Sequence, residues 1–231
     1  IKTWKENTEL DEVINVKNST IDKIISDFKS PIPDILSMDA QGAEFKILSQ
    51  SLSCLTAETS CVITEIEHYE IYDGQSLFAD QFKLLKKHNF RLLDFLNEQY
   101  WHPEMVAGKG FLTVGEAIFF KDFLVIEQML GEKNGVIRLL KYGAISYCMK
   151  RYSLCYYIVE TLLKNNCMKE VESFISKHKC YKTIFSLHRF MKDNAEAYLK
   201  NKRFFEEHLP KEYRDYIPRR KRLMNLVRMI I

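Results

Sequence analysis

None of the eight glycines in this chain of 231 residues falls in a GxGxxG spacing, so the sequence holds no glycine-rich turn of the kind that cradles a dinucleotide or a cofactor phosphate. None of the six cysteines, at 54, 61, 148, 155, 167 and 180, makes a CxxC or a zinc-type spacing. Several lie among apolar neighbours, as reduced core thiols do, and the expected compartment is the cytoplasm. No apolar run is long enough to span a bilayer. Prolines number only five, too few for a linker-rich or low-complexity chain.

What is present is a globular composition, 46% hydrophobic and 28% charged. A net charge of +3 conceals two unlike halves. Residues 1–121 carry 12 Lys and Arg against 19 Asp and Glu, a balance of −7. Residues 122–231 carry 22 against 12, a balance of +10. This predicts two domains, 1–121 and 122–231. The basic half either faces an anionic partner or is attracted to the acidic half, and both readings stay open. It has no nucleic-acid-binding motif, so no nucleic acid is expected.

The first half reads as α/β. A helix is expected over about Thr20 to Phe28, capped from Asn18-Ser19 and striped by Ile21, Ile24, Ile25 and Phe28. Val13 to Val16 is strand-like. Pro31 and Pro33 stop the helix. Ile35 to Met38 then has the length and character of a buried parallel strand. Asp39 stands where that strand stops, and a helix is expected from Gly42 to about Ser51. Further strands are expected over about Ser60 to Ile66, Phe90 to Phe95 and Ala117 to Lys121. Asp73-Gly74 marks a turn, Leu77 to His88 a helix, and Asn97 to Gly110 a loop.

Ligands of open α/β sheets bind beyond the carboxyl ends of the strands, so Asp39 marks a site. It equally suits a plain helix cap, with Gly42 easing a tight turn. Glu65 and His68 are expected at the same sheet edge as Asp39. They are the candidate proton acceptors there, histidine because its intrinsic pKa lies near neutrality. Each also has a plainer reading, as a local hydrogen-bonding or surface residue. Tyr100, Trp101 and His102 could make a stacking wall for a sugar ring. Lys109, between two glycines, could meet a phosphate. Glu44 begins a helix, where an acid is favoured by the dipole alone. Asp39, Glu65 and His68 could hold a metal, but nothing in their spacing demands one.

Asp39-Ala40-Gln41-Gly42-Ala43-Glu44 resembles the Asp-x-Glu-Gly-x-Glu signature of the FkbM family of S-adenosylmethionine-dependent methyltransferases. Ser19-Thr20-Ile21-Asp22 is similar to the Thr-Leu-Asp that precedes that strand in the family. Val62 to Glu65 resembles the next strand with its acid. Phe82 to Leu93 and Glu116 to Lys121 resemble the closing strand pair. The likeness spans about residues 16 to 121, and it departs from the family at Gln41, where Glu is usual. It implies the later strands of a Rossmann-like methyltransferase sheet, closed by an antiparallel hairpin, with the glycine-rich half of the domain upstream of Ile1. It further implies transfer of a methyl group from S-adenosylmethionine to a hydroxyl, on a sugar or glycan. Asp39, Ala40, Gln41 and Gly42 would then be cofactor-binding residues. Asp39, Glu65 and His68 would be catalytic, and Glu44, Tyr100, Trp101, His102 and Lys109 would bind substrate. Gln41 and the missing glycine turn also suit another reading, a non-catalytic module whose helical extension binds a protein partner.

Beyond Asp122 the strand signals vanish and a 3.6-residue period takes over. Helices are expected over about 122–130, 135–149, 153–165, 168–178, 181–200 and 202–208, an all-α extension. The basic tail from Pro218 to Ile231 suits an anionic membrane surface, packing on the bundle or a continuing chain.

Overall fold

The computed structural model describes residues 14–15, 17–101, 109–122, 125–132, 134–178 and 181–200. The expected helix 202–208, the basic tail and His102 lie outside the described residues. Two compact units are present, Ile1–Val125 and Ile126–Ile231. Among the described residues no helix is long and apolar enough to cross a membrane.

The first unit is a four-stranded mixed sheet with helices against one face. Helix α1 spans Ile21–Phe28. Its cap is Thr20, one residue beyond the Asn18-Ser19 expectation, because Thr20 Oγ1 accepts from the Lys23 N–H at 3.1 Å. Lys29, at φ 50°, ends it in a left-handed cap. Ile14 and Asn15 are in no strand. The apolar run forms strand β1, Ile35–Met38. The expected helix forms as α2, Glu44–Ser49, and a short further helix, α3, Leu52–Thr56, follows it. Between them the buried Ser51 bonds its hydroxyl to the Ile47 carbonyl at 2.7 Å, competing locally with the helical ladder.

Strand β2, Cys61–Glu67, pairs parallel with β1, Met38 opposite Thr64. Helix α4 covers Phe78–Lys87. Strands β3, Phe90–Trp101, and β4, Phe111–Lys121, form a long antiparallel hairpin. The sheet order is β1-β2-β4-β3, with β4 antiparallel to both neighbours. This is the partial Rossmann-like sheet with a closing hairpin that the sequence led us to expect. The expected loop Asn97 to Gly110 is wrong at its start: Asn97 to Trp101 belong to β3. The polar run hides a strand that turns at Asn97, φ 49°, and shifts register between Leu96 and Tyr100.

Alternation along the strands sorts the two faces. Leu36, Val62, Ile66, Ala117 and Phe119 join Leu48, Leu55 and Leu85 of the helices in one buried cluster. Side chains of this kind contribute about 1.5–3 kcal/mol each on burial. Ser37, Glu65, Glu67 and Glu116 belong to the opposite face. Thr64 and Gln81, both fully buried, tie α4 to β2. The Thr64 hydroxyl donates to Gln81 Oε1 at 2.9 Å, and Gln81 Nε2 to the Glu65 carbonyl at 3.0 Å. At the far end of β4, the buried Lys121 donates its ammonium to the carbonyls of Leu55 and His88, and lies over the Phe90 ring. Asp122 pairs with Arg91.

The second unit holds α5 (Ile126–Leu130), α6 (Gly135–Cys148), α7 (Tyr152–Lys164), α8 (Met168–Lys177) and α9 (Lys182–Lys200). Leu139, Leu140, Tyr142, Ile158, Val159 and Leu162 are buried in it. Gly135 starts α6 where a Cβ would collide with the Met129 carbonyl. His188 is 5% exposed, stacks on Tyr156 at 4.6 Å and lies 2.7 Å from Glu160 Oε1. Cys54, Cys61 and Cys155 are buried free thiols, and burial pushes Cys61 and Cys155 up to about 12.

Candidate functional site

The parallel pairing of β1 with β2 sets Asp39, just past β1, beside Glu65 of β2. Gln41 follows at φ 51° and Gly42 at φ 94°. This reversal turns the Gln41 amide back over the strand ends. Its Nε2 donates to Asp39 Oδ1 at 2.7 Å and to Glu65 Oε2 at 3.4 Å. Glu44, 1% exposed, closes the turn by accepting the Ala40 N–H at 2.6 Å. One carboxylate oxygen from each of Asp39, Glu44 and Glu65 lies within 4.8 Å of the others.

Glu67 faces the same way as Glu65 and is 1% exposed. Burial first, then the neighbouring Asp39 carboxylate, push Glu65 up to about 7, with Glu67 and Glu44 adding to it. Burial and the charge of Glu44 push Glu67 to about 7 as well, against a lowering influence from the nearby Gln75 amide. That amide falls short of hydrogen-bond geometry: Glu67 Oε2 and Gln75 Nε2 are both buried without a partner. Burial and neighbouring like charges thus disfavour the ionised forms of Glu65 and Glu67.

Gln75 Oε1 accepts the Ile71 and Tyr72 N–H groups at 2.9 and 3.2 Å. That fixes the amide with Nε2 toward Gly42. The Asp73-Gly74 turn lies in this loop as expected. Between it and the Gln41–Ala43 turn is a cavity of about 400 Å³, bordered also by Lys46 and Tyr72.

Asp39 and Glu65 are thus brought together. His68 shares the edge of the sheet but, three residues from Glu65, falls on the other face. Its ring packs against Phe78 at 5.5 Å and Phe95 at 6.4 Å, and Nε2 is buried without a partner. Burial lowers its pKa, opposed by Glu98. Trp101 borders a second cavity of about 400 Å³ with Tyr69, Glu70, Phe111 and Thr113. Tyr100 bonds its hydroxyl to Glu98 at 3.0 Å, and Lys109 Nζ lies 4.3 Å from the centre of its ring. Glu67 and Gln75 escaped the sequence reading. The Glu65-x-Glu67 spacing places two acids on one strand face and was the available signal for Glu67. Nothing in the sequence marks Gln75.

The Asp39 to Glu44 segment thus folds as a strand-end acid joined through a left-handed Gln-Gly step to the acid of the next parallel strand. Residues 2–92 match the family model described as the methyltransferase FkbM domain. The FkbM match takes in β1, β2 and the carboxylate rim, and stops at the start of β3, short of the closing strand β4. It begins well before residue 16, where the sequence signature first becomes visible. It supports a methyltransferase in general. No curated protein and no solved structure matches the chain.

Proposed function

We propose that this chain transfers a methyl group from S-adenosylmethionine to an oxygen of a sugar or glycan. The observation carrying this reading is the Asp39–Gln41–Glu65 rim inside the FkbM-matched segment. When bound, the cofactor supplies an electrophilic methyl on a sulfonium. The rim suits its cationic end, since Asp39, Glu44 and Glu65 bring acceptor oxygens within 4.8 Å of one another with only amide donors among them. Asp39 would hold the cofactor ammonium or orient the acceptor hydroxyl. Glu65 is the group placed to take up the proton that the hydroxyl loses. His68, turned into an aromatic cluster, is poorly placed for that work. The cavity beside Trp101, Tyr69 and Phe111 offers ring faces to a sugar, and Glu70 offers hydroxyl acceptors.

Calorimetric titration of the full-length protein with S-adenosylmethionine tests the reading. Saturable binding that Asp39→Asn weakens is expected. An absence of binding at about a millimolar cofactor, the upper end of ordinary enzyme affinities, would discard it. A second reading, a non-catalytic module with a partner-binding helical extension, draws on Gln41, whose amide occupies the rim where the family has an acid. It requires the titration to be silent and a protein partner to be lost on substitution in the second unit.

A further inference from the structure

We propose that Asp39, Glu44 and Glu65, with Glu67 turned toward the same space, form a binding site for one divalent cation of the oxygen-preferring class, Mg²⁺ or Mn²⁺.

The donors are all carboxylate oxygens, which select hard cations over zinc or copper. Their mutual spread, within 4.8 Å, matches an oxygen shell. Bonds of about 2.0–2.6 Å place opposed ligands roughly 4–5 Å apart. The independent observation is Glu67. It is 1% exposed and its Oε2 has no hydrogen-bond partner. It lies on the face of β2 that carries Glu65. A buried carboxylate oxygen without a partner is costly, and a cation in this space supplies the partner. Among the described residues no lysine or arginine is paired with any of the four acids. The nearest substitutes are neutral amides, that of Gln75 beside Glu67 and that of Gln41, which bonds Asp39 and Glu65. The exposed Gln41 side chain also carries an acceptor oxygen, Oε1, that an ion can use.

The ion's place in catalysis rests on the methyl-transfer reading, in which it would take the acceptor oxygen as a ligand and ease loss of its proton. Its binding does not depend on that reading, and the test uses neither methyl donor nor acceptor. The chain is titrated with Mn²⁺ alone, followed by calorimetry and by loss of the free-ion resonance signal, with Mg²⁺ as competitor. One ion per chain is expected. Asp39→Asn and Glu65→Gln each weaken it at least about tenfold, whereas Asp27→Asn, on the exposed face of α1, leaves it unchanged. Glu67→Gln removes the buried charge. The cation-free variant is expected to melt higher than the parent chain and to gain less on adding Mn²⁺. Absence of saturable binding at about 10 mM Mn²⁺, far above ordinary protein affinities for such ions, overturns the proposal. So does full affinity in the Asp39 and Glu65 variants. Mn²⁺ binding without S-adenosylmethionine binding upholds the ion site and removes methyl transfer alone.

Discussion

Gln75 Nε2 stands 2.6 Å from where a Cβ on Gly42 would lie. Two constraints therefore meet at Gly42, the neighbouring amide and a φ of 94° that side chains rarely adopt. Gly42→Ala is expected to cost about 1–3 kcal/mol, measured by urea denaturation, and to weaken ligand binding at the rim. Adding Gln75→Ala should recover the steric share and leave the backbone share. Full recovery would mean that the φ constraint is idle.

Asp22 reaches from α1 to the start of α3. Its carboxylate accepts the N–H groups of Ser53 at 2.9 Å and Cys54 at 3.3 Å. Burial alone would raise its pKa, but these bonds outweigh it and hold the group below its ordinary value. Asp22→Asn should cost about 1 kcal/mol at neutral pH, as for a lost cap. A depressed carboxyl stabilises the fold fully above its unfolded pKa and ceases to do so as pH falls through the folded one. The gap between parent and variant should thus close on acidification below about pH 4, near the unfolded value of an aspartate. A gap that stays constant down to the acid limit would contradict this role.

In the second unit, His188→Ala removes both the stack on Tyr156 and the contact with Glu160. A loss of about 2–4 kcal/mol is expected, read from thermal unfolding of the chain. His188→Gln, which keeps a hydrogen-bonding group, should lose less. Equal losses would show that only the ring packing matters.

Gln41→Glu restores the residue usual in the signature. It replaces the bond to Asp39 with repulsion and should lower cation-free stability by about 1 kcal/mol. The same change adds a ligand, so Mn²⁺ affinity should rise. Isothermal titration and melting of one preparation read both, and a fall in affinity would argue against an ion between Asp39 and Glu65.

Strands β1 and β2 were legible because buried parallel strands are short apolar runs, and Asp39 because it ends one. The pairing of Asp39 with Glu65 followed from a crossover between parallel strands. The end of β3 was not legible, since Asn97-Glu98-Gln99 has a loop composition and the strand persists only through bulges and pairing with β4. Helix α3 was not legible, since five residues are too few to show a helical period. His68 was read toward the rim because strand pairing fixes the edge, while its face depends on counting from Glu65. The burial of Glu67 lay hidden in the polar run Glu65 to Glu70, because exposure is set by the loop that folds over it.

Lys121 gives the sheet a practical seam. Its ammonium bonds carbonyls at the ends of two helices, Leu55 in the last turn of α3 and His88 just past α4, and Asp122 latches back to Arg91. Shortening the first unit to Phe120 would remove Lys121 and Asp122 together and unbutton two helices from the sheet, so any excision has to be made beyond Asp122.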